Sequence, residues 1–253
     1  LSTVSRRQSI GLAAALLAGP GLADASPAAR PKQLDPLTPR FPKGTRILFQ
    51  GDSITDGGRG RGPDPNHIFG QDYAYLVAAQ CGAHFPDENW TFLNRGISGN
   101  KVTDLAARWQ TDTLDLKPDI LSVLVGVNDA SSMLHDPATG VSAERYEEVY
   151  DQILGLAVAA NPALKIVLGQ PFLVPISAAQ GTQIKRLQAA IERVAAKYHA
   201  PVIPYQTVLD AAVARSSQPA DYWVWDTVHP TYAGHQLMAE AWLLTVNEFY
   251  FKR

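Results

Sequence analysis

The stretch DILSVLVG, Asp119 to Gly126, is short, almost continuously apolar and rich in Val and Leu. A strand with one wet face alternates apolar and polar residues; this one does not, so it reads as a strand buried on both faces. Working outward toward the N-terminus, Val102–Thr111 reads as helical, Trp90–Asn94 as a strand, Gly70–Cys81 as an amphipathic helix and Arg46–Gln50 as a short apolar strand. Toward the C-terminus, Ser142–Ala160 is helical, Leu164–Gly169 a strand, Ala179–Tyr198 a helix and Val202–Tyr205 a last strand. A final helix starts near Pro230 and ends near Asn247. Strands separated by single helices require right-handed crossovers, which predicts a three-layer α/β/α sandwich with a central parallel sheet. Such sheets bind ligands at the carboxyl ends of their strands.

The totals fit one domain of ordinary size with room for a good core: 253 residues, 46% hydrophobic and 18% charged. A formal charge of −2 with no basic run in the body argues against nucleic acid or an anionic membrane as the main partner. The lone Cys81 follows an apolar run and reads as a buried structural thiol. No Cys-x-x-Cys or His-Glu-x-x-His pattern offers a metal site, and no phosphate-binding Gly-x-x-x-x-Gly-Lys loop supports an NTPase. No cofactor is expected.

Residues 1–25 have the layout of a signal peptide: Arg6-Arg7, an apolar run from Ile10 to Ala18, the breaker Gly19-Pro20-Gly21, and Ala23-Asp24-Ala25 before a cut. The apolar run is too short for a stable membrane anchor. Ser5-Arg6-Arg7-Gln8 also resembles a twin-arginine signal, although Ser9 stands where that signal has a large apolar residue. The expectation is an exported protein, periplasmic or secreted. Residues 26–43 carry Pro27, Pro31, Pro36, Pro39 and Pro42 and read as a surface linker, leaving 44–253 as the folded domain.

Four polar, Gly-bearing segments lie at strand ends or at a helix start: Gln50-Gly51-Asp52-Ser53-Ile54-Thr55-Asp56, Asn94-Arg95-Gly96-Ile97-Ser98-Gly99-Asn100, Gly126-Val127-Asn128-Asp129 and Asp226-Thr227-Val228-His229-Pro230. Their residue types suit acyl transfer. A serine hydroxyl needs a neighbouring base to become a nucleophile. Imidazole is the usual base near neutral pH, and a carboxylate three residues earlier can fix its tautomer. Ser53, His229 and Asp226 are the candidates.

Together the four segments resemble the blocks of the SGNH/GDSL hydrolases, matched here by Ser53, Gly99, Asn128 and His229. The similarity covers about Thr45 to Leu244. The stretches GDSITDGGRGR, NRGISGN, DLAARW and WDTVHPTYAGH are most similar to bacterial acetylxylan-esterase-like members. The resemblance implies a flavodoxin-like fold, a Ser53–His229–Asp226 triad, and an oxyanion hole made by the backbone N–H of Ser53, that of Gly99 and the amide of Asn128. It implies a serine esterase acting on short acyl, foremost acetyl, esters of carbohydrate such as xylan or its oligosaccharides. A short-chain lipase, thioesterase or arylesterase is the alternative within the same chemistry, and an inactive sugar-binding module the alternative outside it. Homo-oligomerisation is left open.

Each of these residues also has a plainer role. Ser53 can simply cap a helix, and Asp226 with His229 can be a surface capping pair. Asp52, Asp56 and Asp129 read as carboxylates that bind loop backbone, and Ser98 and Asn100 as loop hydrogen-bonders. Trp225 and Arg59 are candidate substrate contacts; Trp225 reads as a stacking wall or as ordinary packing, Trp223 as packing, and both Arg59 and Arg61 as shaping the substrate mouth or as solvated or ion-paired loop residues. His235 reads as packing or exposed.

Overall fold

The computed structural model describes residues 39–251, apart from Pro63 and 175–177. The expected signal peptide, and the linker as far as residue 38, lie outside the described residues. Five parallel strands form one sheet: β1 (Arg46–Gly51), β2 (Thr91–Asn94), β3 (Ile120–Leu124), β4 (Lys165–Gly169) and β5 (Val202–Ile203), in the order β2-β1-β3-β4-β5. This is the flavodoxin-like order. Every residue of β3 is buried, as its apolar run requires.

The helices are α1 (Ser53–Asp56), α2 (Tyr73–His84), α3 (Val102–Ala107), α4 (Val127–His135), α5 (Ala143–Ala160), α6 (Ala178–Tyr198), α7 (Tyr205–Arg215), α8 (Ala220–Trp223) and α9 (Tyr232–Val246). The chain moves from β1 outward to β2 but from β3 through β4 to β5 in the opposite direction. Right-handed crossovers therefore put α2 on one face and α3, α5 and α6 on the other. The packing agrees, with α2 and α7 against α9 in one layer and α3 and α6 against α5 in the other.

Strand alternation carries this division into the side chains. On β1, Phe49 meets Tyr73 of α2 and Trp242 of α9, with ring centroids 5.8 and 5.3 Å apart. Its neighbour Gln50 points the other way and donates to the carbonyl of Asp112 and the hydroxyl of Thr113. Ser122 of β3, in register with Phe49, accepts from the buried indole N–H of Trp242 at 3.0 Å. Cys81 is buried on α2, and burial pushes its thiol up to about 12.

Two helices depart from the sequence expectation. Gly126–Asp129 reads in the sequence as a polar segment after a strand, with no helix assigned to it; the turn is Gly126 alone, at φ 142°, and Asn128 and Asp129 already lie in the first turn of α4. The last strand ends at Ile203 rather than Tyr205, because Pro204 breaks the ladder and Tyr205 opens α7.

The end of the Pro-rich segment is held in the fold. Phe41 is buried, with edge contacts to Trp90 and Phe251 at 5.0 and 5.3 Å, and the carbonyl of Pro42 accepts from the Trp90 indole at 3.0 Å. Phe41→Ala is expected to destabilise the domain by about 3–5 kcal/mol, measured by urea denaturation; a loss below about 1 kcal/mol would mean that this segment is only draped on the surface.

Candidate active site

Ser53 is the first residue of α1, immediately beyond the carboxyl end of β1. Asp52 caps that helix, its Oδ1 accepting from the backbone N–H of Ile54 at 3.0 Å. The hydroxyl of Ser53 lies 2.8 Å from Nε2 of His229, and Nδ1 of the same ring lies 2.6 Å from Oδ2 of Asp226. The structure thus brings together three residues that the sequence separates by up to 176 positions.

The Asp226–His229 turn is built locally. Asp226 Oδ1 accepts from the backbone N–H groups of Val228 and His229, at 3.1 and 2.7 Å. An antiparallel bridge between Val224 and Pro230 closes the turn, and Trp225 N–H donates to the carbonyl of His229. Thr227 takes the left-handed conformation, φ 74°, and its carbonyl accepts from Val174 N–H at 2.9 Å. Burial works to raise the Asp226 carboxyl, but hydrogen bonds from the backbone and ring of His229 outweigh it and hold the group below the usual range. With Asp226 ionised, Nδ1 is the donor in this pair, which leaves Nε2 to accept the hydroxyl proton of Ser53.

The segments carrying Gly99 and Asn128 meet beside this chain of contacts. Asn128 donates through Nδ2 to the carbonyl of Asn100 at 3.1 Å. Gly99 has φ 84°, and a Cβ there would meet nothing within 4 Å. Its left-handed conformation is one that glycine adopts without strain. Asp56 joins α1 to this loop, its Oδ2 accepting from the N–H and hydroxyl of Ser98 at 2.9 and 3.0 Å. Arg61 grips both oxygens of Asp56, at 3.0 and 2.7 Å. Burial raises the Asp56 carboxyl, but Arg61 and Ser98 lower it by more. Asp129 accepts from the backbone N–H of Val102 at 3.0 Å. The three aspartates and Ser98 thus bind as their sequence context suggested.

Arg108 was not singled out in the sequence, yet it ties three segments together. It donates to the Asn100 side chain at 2.8 Å, to the Arg95 carbonyl at 2.8 Å and to the Gly51 carbonyl at 3.3 Å. Its only sequence signal was its place in DLAARW. Arg59 is buried and donates through Nε to the carbonyl of Gly96 at 2.9 Å. Trp225 is 64% exposed, its ring 6.4 Å from that of His229 and inclined to it by 27°. His235 is buried, and burial lowers its imidazole to about 4. Among the described residues, no cluster of three or more His, Cys, Asp or Glu side chains could hold a metal ion.

Residues 49–237, most of the chain, match the model of the GDSL-like lipase/acylhydrolase family. The chain belongs to this family. As a GDSL-like acylhydrolase it is a carboxylic ester hydrolase. It is 31% identical over 210 residues to an acetylxylan esterase of Geobacillus stearothermophilus, covering 81% of this chain and 94% of the relative. LAE5, an enzyme from the metagenome of Lake Arreo, superposes with a TM-score of 0.75 at 30% identity, over 82% of this chain and 97% of its own. Catalytic mutants of the Geobacillus esterase Axe2 superpose with TM-scores of 0.73 and 0.74 at 27% and 28% identity, over 84% of this chain and 97% of theirs.

In this acylhydrolase the loop after β2 is anchored by Asn94. Its amide N–H groups reach the carbonyls of Thr55 and Phe69, at 2.6 and 2.9 Å, and Oδ2 of Asp72, at 2.8 Å. Its Oδ1 accepts from Gly96 N–H at 2.9 Å. Asp72 caps α2 through Tyr75 N–H and is fully buried, which lifts its carboxyl from 3.8 to about 8. The folded state therefore holds a proton that the unfolded chain gives up near its ordinary value. That contribution is complete below the unfolded value and is lost as pH rises through about 8. Asp72→Asn should flatten the decline of Tm between about pH 5 and pH 8, followed by differential scanning fluorimetry; an unchanged slope would contradict the assignment.

Proposed function

We propose that this chain is a serine esterase in which Ser53 is the nucleophile, His229 the general base and acid, and Asp226 the group that orients and stabilises the imidazolium. The observation that carries the reading is the unbroken run of contacts from Ser53 Oγ through His229 to Asp226, at 2.8 and 2.6 Å. The Axe2 structures described as catalytic mutants replace a Ser, a His and an Asp by Ala, the last two separated by the same spacing as Asp226 and His229.

The reaction follows from the atoms. Ser53 Oγ attacks the ester carbonyl while Nε2 of His229 takes its proton. The carbonyl oxygen becomes an oxyanion, with the N–H groups of Ser53 and Gly99 and the Asn128 amide as donors. Collapse breaks the bond to the alcohol, which leaves with the proton held by His229. Water then attacks the acyl-serine, giving a proton to His229. Collapse releases the carboxylic acid and returns that proton to Ser53 Oγ.

The substrate class proposed is short acyl esters, foremost O-acetyl groups on xylan or xylooligosaccharides. The acetylxylan esterase relative supports this. So does Trp225, whose exposed ring beside His229 has the geometry of a stacking wall for a sugar; Arg59 is proposed to shape the same mouth. Export is proposed from the arrangement of Arg6-Arg7, the apolar run and Ala23-Asp24-Ala25.

Ser53→Ala should abolish hydrolysis of p-nitrophenyl acetate, and retained activity would exclude the mechanism. Asn128→Ala should lower kcat by about 100- to 1000-fold with little change in KM; the reverse pattern would remove Asn128 from the oxyanion hole. For the substrate, acetate release from acetylated xylooligosaccharides is to be compared with cleavage of p-nitrophenyl esters of increasing chain length. A preference for butyrate or longer, with no acetate released from the sugar, would rule out the carbohydrate assignment.

A further inference from the structure

Arg108 follows the last residue of α3, next to the buried Trp109, and its own side chain is only 15% exposed. Its guanidinium donates to four acceptors. Nε reaches Asn100 Oδ1 at 2.8 Å, Nη1 reaches the Arg95 carbonyl at 2.8 Å and Asp112 Oδ2 at 3.0 Å, and Nη2 reaches the Gly51 carbonyl at 3.3 Å. Asp112 supplies the opposite charge that a largely desolvated cation requires. The other three acceptors are neutral and belong to the ends of the site loops. Gly51 is the last residue of β1, Arg95 follows β2, and Asn100 follows Gly99.

Asn100 is held on two sides. Its side chain accepts from Arg108, and its carbonyl accepts from Nδ2 of Asn128 at 3.1 Å. A carboxamide is planar and carries two N–H groups on one nitrogen, so committing one to a fixed carbonyl sets the direction of the other. The second N–H of Asn128 is the one assigned to the oxyanion in the reaction above. Any shift of Asn100 therefore re-aims that donor.

We propose that Arg108 is a positioning residue for the oxyanion hole, acting through Asn100 on the Asn128 amide. The proposal rests on the function given above. Both ends of α3 serve the arrangement. Its first residue, Val102, donates its N–H to Asp129, the neighbour of Asn128, at 3.0 Å, and Arg108 at its far end reaches back eight residues to Asn100. Asn100 N–H closes the loop on the Ile97 carbonyl at 3.2 Å. Donors held in place before charge develops need no reorientation during the reaction, which is the source of their effect. Arginine suits the task because its planar fork sends N–H groups in diverging directions, whereas the ammonium of lysine gathers them on one atom.

The test is a double-mutant cycle on p-nitrophenyl acetate with Arg108→Lys, Asn128→Ala and the two combined, each assayed well below its Tm. Arg108→Lys should lower kcat about 10-fold or more with little change in KM. In the Asn128→Ala background the same substitution should cost about 3-fold or less, because its effect passes through the missing amide. An equal loss in both backgrounds would overturn the proposal while leaving Asn128 its role as a donor. Unchanged kcat in Arg108→Lys, or a loss expressed in KM instead, would also overturn it. No loss of kcat in Asn128→Ala would remove the oxyanion assignment itself, and the proposal with it.

Asn100→Ala cuts the link without touching the cation. It should lower kcat as Arg108→Lys does, and adding Arg108→Lys should lower it little further; fully multiplied losses would refute the relay. Should Arg108→Lys fail to fold by circular dichroism, the cycle of Asn100→Ala with Asn128→Ala decides by the same criterion.

Discussion

Pairing β1 with both β2 and β3 places three carboxyl ends side by side, and the remaining features of the site depend on that pairing. Because the crossovers leave β1 in opposite directions, the ends of these strands lie at the point where the strand order reverses, and helices are kept out of the crevice above them. The segments that follow β1, β2 and β3 carry Ser53 at the start of α1, Gly99 in a loop and Asn128 in the first turn of α4. Their mutual distances are then fixed by side chains that bridge one loop to the next. Asp56 holds the Ser98 backbone, Asn94 holds the Thr55 carbonyl, and Arg108 spans Gly51, Arg95 and Asn100. These bonds are buried or partly buried, so each is worth more than a contact on the surface.

The fourth segment reaches the site by a different route. Asp226 and His229 come from a turn between α8 and α9, and it is the tertiary packing of α9, through Trp242 on Ser122 and Phe49, that delivers them to Ser53. Ser53 beyond the end of β1 and His229 on the turn before α9 thus belong to two separately built parts, and one hydrogen bond joins them.

Much of this was legible in the sequence because it is local. The period of DILSVLVG determines a doubly buried strand, and the four polar segments announce themselves by interrupting apolar strands or by opening a helix. The triad candidates could be named because their residue types suit one chemistry. What escaped was non-local or too short to have a period. The first turn of α4 begins at a single glycine of φ 142°, and a sequence reader sees only a polar tetrapeptide there. Arg108 looks like any arginine on a helical stretch, and its importance arises from carbonyls of residues 51 and 95 that only folding brings within reach. Phe41 sat among prolines that signalled a linker, yet its ring fills a gap between Trp90, Trp242 and Phe251.

The closed turn from Val224 to Pro230 has an evolutionary consequence. Asp226 and His229 are oriented by bonds made within the turn itself, by a tie from Val174 to the Thr227 carbonyl and by the contact of His229 with Ser53. Residues 217–219, which lead into α8 ahead of the turn, are exposed. Insertions there can lengthen the exposed approach to α8 while the bonds within the turn stay as they are. Selection can therefore vary that approach without first rebuilding the turn.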